Sequence, residues 1–270
     1  MVAAATMSTG AEIRAHCRTN DFTRQTSGLA PGYVQCNVVI LPAQDAEQFA
    51  AFCELNPKPC PLLATSRHPG AADLPALGDD IDIRTDLPRY RIWENGQCTG
   101  QRDDILDLWQ DDWVAFALGC SFSFEEALSN AGIEIRNVTE GVNVPMYRTH
   151  IDCQSAGPFE AKMVVSMRPM PASEAITAIQ ICSRYPSVHG APIHLGDPAL
   201  IGIADLDQPD FGDPVSVHAN EIPLFWACGV TPQVALESAE LPLAITHEPG
   251  HMLVTDLKNA SLEGDTPWNA

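Results

Sequence analysis

The strongest constraint in this chain is a strand signal that runs into a proline and then into a helix signal. Val38-Val39-Ile40-Leu41 is an unbroken apolar run stopped by Pro42, and the segment from Ala43 to Leu55 places Phe49, Phe52 and Cys53 at helical spacing. The proline cluster Asn56-Pro-Lys-Pro59-Cys-Pro61 must end that helix, and Leu62-Leu63-Ala64 supplies a following strand, which predicts a βαβ unit. Toward the other end, Ile222 to Cys228 reads as a strand, Thr231-Pro232 as an N-cap followed by proline at the first helical position, and Leu243 to Thr246 as another strand. A second βαβ unit is expected there.

The signals between them are less regular. Thr9-Gly-Ala-Glu12 has capping-box spacing and opens a short helix over residues 10–18. Ala71 to Asp82 is acidic and turn-rich, which predicts a surface loop, and Asn95-Gly96 predicts a tight hairpin between Arg89–Glu94 and Gln97–Thr99. Asp103 to Gln110 reads as a short helix and Val114 to Leu118 as an apolar strand or buried turn. Ser123-Phe-Glu-Glu126 reads as a second capping box, with Asn130-Ala-Gly132 closing its helix. Met163 to Ser166 is expected as a strand, and Ala172 to Cys182 as a helix with Ile176, Ile179 and Cys182 inward. Arg184 to Pro214 is loop-rich, and no internal repeat is recognised. The expected fold class is α/β: a mixed sheet with flanking helices in a main lobe built from both termini (1–118 with 220–270), and a smaller inserted α+β lobe (119–219).

Composition narrows the function. Of 270 residues 45% are hydrophobic, enough for a core without staples. No run approaches the roughly 18 apolar residues of a membrane span, and the opening segment has no signal-peptide core, so a soluble cytoplasmic protein is expected. Nine cysteines without a C-x-x-C pair signal neither a disulfide framework nor a zinc ribbon. A formal charge of −20 repels phosphate backbones and anionic lipid, so neither nucleic acid nor membrane is expected as a partner. A homo-oligomer is left open.

Five segments concentrate arginine, histidine and small polar residues without a structural period to explain them: Asp82-Ile-Arg-Thr-Asp-Leu-Pro-Arg-Tyr-Arg91, Gly119 to Glu126, Asn143 to Thr149, Ser166-Met-Arg-Pro169 and Ser183 to Asp197. Arg84, Arg89, Arg148 and Arg168 are candidates to converge on a carboxylate, since guanidinium recognises it through two parallel hydrogen bonds; a structural ion pair is the alternative for each. Ser121 and Ser123 precede a helix start, where free amides favour an anion, although simple capping is the better reading for Ser123. His189, His194 and Asp197 share a loop suited to a general base and its orienting partner, or to plain hydrogen bonding. His247-Glu-Pro-Gly-His251 spells a zinc-protease pattern, but Pro249-Gly250 opposes the continuous helix that pattern needs, so strand, turn, strand is expected. Its two histidines remain acid–base candidates. Cys228 is a nucleophile or, more simply, packing.

These stretches resemble a known family. PGYVQCNVVILP, NPKPCPLL, DIRTDLPRYR, GCSFSFEEAL, NVPMYRT, VSMRPM, SRYPSVHGAPIHLGDP, FWACGVTPQ and THEPGHMLVTD are together similar to the bacterial hydro-lyase family related to mitochondrial D-glutamate cyclase, over residues 9–257. The resemblance implies a lyase acting on a small carboxylate, with cyclisation of D-glutamate to 5-oxo-D-proline and water as the best-known reaction. It carries over no catalytic residues. In such a reaction His189 or His247 would act as base, His194 or His251 as acid, Arg148 or Arg168 as oxyanion stabiliser, and Arg84 or Arg89 as carboxylate clamp. Asp197 or Asp86 would hold the ammonium or orient a histidine, with Ser121, Ser123, Tyr147 and Cys228 among the lining residues. No cofactor is expected; a divalent metal is an alternative that the spacing does not support. The competing function is a non-catalytic carrier or sensor of an acidic metabolite.

Overall fold

The computed structural model describes residues 7–264. In chain order these form α1 (Gly10–Arg18), β1 (Tyr33–Pro42), α2 (Ala43–Leu55), β2 (Leu62–Thr65), β3 (Tyr90–Glu94), β4 (Gln97–Arg102), β5 (Trp113–Gly119), α3 (Phe122–Asn130), α4 (Arg136–Glu140), β6 (Met146–Asp152), β7 (Lys162–Pro171), α5 (Ala172–Cys182), β8 (His194–Leu195), β9 (Glu221–Ala227), α6 (Thr231–Ala239), β10 (Ala244–His247) and β11 (Leu253–Lys258). The α/β class follows. One sheet runs β2-β5-β1-β10-β3-β4, with β11 also on β1; a second runs β6-β7-β9-β8.

Alternation along β1 sets the layers of the first sheet. Val34, Cys36, Val38 and Ile40 face one core with Leu74, Leu77, Ile81 and Ile83, so the acidic segment after residue 71 is not merely surface but covers a sheet face. Val39 and Leu41 face the opposite core, against Phe49 and Phe52 of α2 and Ala235 and Leu236 of α6. Each such large apolar side chain contributes about 1.5–3 kcal/mol by leaving water. On the second sheet, Leu224 and Trp226 pack against Phe124 and Leu128 of α3 and Ala175, Ala178 and Ile181 of α5. The inward face of α5 is thus Ala175, Ala178, Ile181 and Cys182; Ile176, expected inside, is 62% exposed.

Every strand pair is antiparallel, unlike the expected βαβ units. Both β1 and β2 pair with β5, so they run parallel but one strand apart, and the crossover through α2 spans the gap. The second expected unit is divided: β9 lies in the four-stranded sheet and β10 in the seven-stranded one. The Asn95-Gly96 hairpin forms as expected, with positive φ at both turn residues (49° and 76°). The Thr9–Glu12 capping box forms too. Residues 103–110 form turns without a helix.

A structural repeat that the sequence pattern had not shown emerges from the registers. Cys36 faces Gly119 and Pro42 faces Trp113, just as Val165 faces Ala227 and Pro171 faces Glu221. On the outer side Cys36 faces Leu253 as Val165 faces Tyr147. The Gln35 amide donates to Ser123 Oγ at 3.0 Å, and the Val164 amide donates to Thr231 Oγ1 at 3.0 Å. Strands β11-β1-β5-β2 therefore correspond to β6-β7-β9-β8, α2 to α5 and α3 to α6. Each half places its closing strand in the other half's sheet: β6 follows the first half but joins β7, and β11 follows the second but joins β1. Cys120 and Cys228, Phe122 and Val230, and Met146 and Met252 meet as equivalent pairs in one core between the halves.

Candidate functional site

The expected convergence of arginines does not form, because acids within the protein already occupy them. Arg84 binds Asp82 through Nε and Nη2 (2.8 and 2.7 Å), Arg89 reaches Asp103 at 3.3 Å, and Arg148 binds Glu237 through both terminal nitrogens (2.8 and 2.6 Å). Arg168 is buried, with Glu125 on its Nε and Nη2, Ser121 Oγ on Nη2 and Ser166 Oγ on Nη1. Asp86 is fully buried beneath Arg18, whose Nε and Nη2 approach at 2.6 and 2.7 Å; burial nonetheless holds its carboxyl above the ordinary range. Of these pairings the buried Arg168–Glu125 is costly to break from one side, whereas the part-exposed pairs of Arg84, Arg89 and Arg148 add little stability.

The histidines separate as well. His189 is buried with φ of 80°, its Nδ1 2.7 Å from the Lys58 carbonyl, and burial pushes its pKa down to about 4. His247 lies inside β10, where Nδ1 accepts the Val38 amide at 3.1 Å and burial pushes its pKa down to about 3. His194 places Nε2 2.8 Å from the Asp197 backbone oxygen, and the Asp197 carboxylate instead caps the Ala199 amide. Tyr147 donates its hydroxyl to the Leu206 carbonyl, and burial raises its pKa. The Cys228 thiol is pushed up to about 11 by burial, which opposes a nucleophilic thiolate. Ser123 is the second residue of α3, not its cap, and its hydroxyl takes the Gln35 amide; Ser121 is the N-cap residue but makes no capping bond.

His251 is different. Pro249 and Gly250 turn the chain between β10 and β11, as expected from their residue types, and carry His251 to a cleft of about 680 Å³. The cleft is also lined by Arg24, Ser27, Asn143, Asp213 and Glu248. His251 Nδ1 lies 3.2 Å from the Pro249 carbonyl, and the Thr23 backbone also bonds the ring; in the tautomer that gives its proton to Pro249, Nε2 carries the lone pair. Burial depresses the His251 pKa, outweighing the Pro249 carbonyl and Glu248, so the ring is neutral near pH 7. Asn143 ties the walls together: its amide nitrogen donates to the Pro249 carbonyl (3.1 Å), and its backbone N–H to Asp213 Oδ2 (2.9 Å). Glu248 is held by Arg91 Nε and Nη2 at 2.6 and 2.7 Å.

Arg24 is the residue that pattern reading passed over. Among the described residues it alone of the twelve arginines makes no ion pair with a carboxylate, and its guanidinium lies 5.7 Å from the Phe22 ring centroid, over the ring. A cleft lined by an exposed guanidinium and a neutral imidazole is equipped to take an incoming carboxylate at the first and to exchange a proton at the second. Ser27, with its Oγ 3.4 Å from Glu125 Oε2, was likewise invisible in the pattern. No group of three or more histidine, cysteine or acidic side chains suited to a metal ion occurs among the described residues. No helix of the described residues is long and apolar enough to cross a membrane.

Known proteins resemble this chain closely. A family model described as D-glutamate cyclase matches residues 114–256. A protein from Bordetella petrii named "Putative hydro-lyase" is 56% identical over 94% of this chain and 96% of its own length. Proteins of the same name from Verminephrobacter eiseniae and Bradyrhizobium diazoefficiens are 58% and 59% identical, covering 96% and 88% of this chain and 94% and 87% of their own. Among solved structures, a nitrogen repressor-like protein from Methanococcus jannaschii overlaps 91% of this chain and 98% of its own at a TM-score of 0.36 and 11% identity, too slight a likeness to speak for fold or function. Identity of the extent seen in the bacterial proteins, over nearly the whole length, is decisive: the chain belongs to the D-glutamate cyclase family and is a lyase of the hydro-lyase class.

Proposed function

We propose that the cleft between Arg24 and His251 dehydrates a small acidic amino acid, and that the reaction is closure of D-glutamate to 5-oxo-D-proline with release of water. The observation that carries this reading is the unpaired Arg24 guanidinium, placed with a neutral imidazole and two carboxylates in one cleft. Such a substrate brings two carboxylates and an ammonium. Arg24 takes the carboxylate that does not react, and Asp213 takes the ammonium, since Glu248 is already held by Arg91.

The chemistry sets what the site must do. The C–N bond forms at the distal carboxyl carbon and one C–O bond breaks; two protons leave the nitrogen and both end on the departing oxygen. His251 removes a proton from the ammonium through Nε2 and returns it to that oxygen. The Asn143 amide also lines the cleft, and its N–H that is not given to Pro249 supports the tetrahedral intermediate. Holding the substrate folded accelerates an intramolecular closure by itself.

The test is incubation of the purified protein with D-glutamate, L-glutamate and 5-oxoproline, with and without added divalent metal, following product by chromatography. Turnover of D-glutamate is expected, with Arg24→Ala raising KM by roughly 10- to 100-fold through loss of a charged hydrogen bond. Absence of turnover in a folded protein, or an Arg24→Ala variant with wild-type KM, rejects the assignment.

A further inference from the structure

The loop of residues 23–29 divides the cleft from a second cavity of about 300 Å³, lined by Gly28, Leu29, Gln35 and Glu125. Ser27 lies in this partition. It lines the cleft, accepts a hydrogen bond from Asn137 Nδ2 (3.3 Å) and donates its own to Glu125 Oε2 (3.4 Å). With Asn137 on one lone pair, the hydroxyl proton is directed at the carboxylate. The other carboxylate oxygen, Oε1, is occupied by Arg168 Nε and Nη2, which leaves Oε2 as the acceptor facing Ser27.

The structural repeat shows that the fold does not require this charged pair. In the other half Gln233 stands where Glu125 does, Val39 where Arg168 does, Gly229 where Ser121 does and Asn37 where Ser166 does, by the same registers. There a neutral amide stands in place of the carboxylate: Gln233 Nε2 donates to the His247 carbonyl at 2.9 Å, its Oε1 accepts from Arg91 Nη1 at 3.4 Å, and Val39 packs in an apolar core. Buried ion pairs commonly do no better for stability than well-packed apolar residues of similar volume. One half has therefore built a buried carboxylate and guanidinium at positions where its twin carries an amide and a valine, next to Ser27, which lines the cleft.

We propose that Ser27 is a catalytic residue that passes protons between substrate and Glu125, with Arg168 and Asn137 as positioning residues. The inference rests on reading the cleft as the substrate site. In the forward step a proton leaves the substrate nitrogen for Ser27 Oγ as the Ser27 hydroxyl proton moves to Glu125 Oε2. In the return step Glu125 gives that proton back through Ser27 to the departing oxygen, so neither residue is changed over the cycle. Together with His251 this accounts for both protons that leave the nitrogen.

The experiment measures kcat and KM for D-glutamate in wild type, Ser27→Ala, Ser27→Thr and Glu125→Gln, with the unfolding midpoint of each. Ser27→Ala and Glu125→Gln are expected to lower kcat by about 100-fold while KM stays within about threefold, and Ser27→Thr, which keeps the hydroxyl, restores most of the rate. If Ser27→Ala keeps kcat, or Thr rescues no better than Ala, the relay is overturned and the cleft assignment stands. If wild type binds and converts no D-glutamate, the cleft assignment falls and the relay with it. Should Glu125→Gln fail to fold, the Ala and Thr pair at residue 27 decides the matter.

Discussion

His247 accepts the Val38 amide at Nδ1, and its buried Nε2 has no hydrogen-bond partner; His189 is similarly enclosed. Both are neutral in the fold, with pKa values near 3 and 4 against about 6.5 when unfolded. Above pH 6.5 neither state binds the proton and stability is independent of these rings. Below it the unfolded chain takes protons that the folded one refuses, so stability falls by up to about 1.4 kcal/mol per pH unit for each histidine until the folded pKa is reached. Urea midpoints should therefore decline from pH 6.5 to 4.5, and His247→Gln should flatten that decline; a constant midpoint would mean that these imidazoles are not held neutral. Gly250 offers a second test, since its φ is 86° and a Cβ there would stand 2.5–2.6 Å from the Asn143 amide atoms. Gly250→Ala should displace Asn143 from the cleft and reduce turnover, at a backbone cost of about 1–2 kcal/mol that leaves the protein folded. At this scale the sequence disclosed little: Arg24 and Ser27 sit in an unremarkable polar stretch, and what distinguishes them is the missing acid near one and a carboxylate ninety-eight positions away near the other.

Elements were far more legible than sites. The helices at residues 10–18 and 172–182 and the strands flanking Asn95-Gly96 were evident because side-chain periodicity and turn chemistry are local. The misreadings also have local causes. Ser123 has the spacing of a capping box, but a hydroxyl bonds whichever donor is nearest, and here that is an amide of β1. Thr231 behaves alike toward β7, and its place as the first residue of α6 follows from that bond. Removing either hydroxyl leaves a buried strand amide without a partner, so Ser123→Ala and Thr231→Val should each cost about 1–3 kcal/mol by denaturant titration. Similar losses are expected for the two because the positions are structurally equivalent; a neutral outcome at one would break that equivalence. The equivalence had left a trace in sequence, Cys-x-x-Ser/Thr-x-Glu/Gln-x-Ala-Leu at 120–128 and at 228–236, too short to stand out without the registers.

For the molecule as a whole, the charge of −20 is the dominant long-range term, since most guanidinium groups are matched by local acids and the surplus repels itself. Raising salt from about 0.05 to about 0.5 M should increase the thermal midpoint by screening that repulsion; an unchanged midpoint would show that the surplus is spread too thinly to matter. The pairing of β1 with β11, and of β7 with β6, also has a temporal side. A nascent chain leaving the ribosome presents β1 early, yet the partner on its outer edge is made some 220 residues afterwards, a delay of roughly 10–40 s at ordinary rates of synthesis. Until β11 has been made the first sheet keeps an open edge, and chaperone engagement of the nascent polypeptide is the expected cost of this architecture.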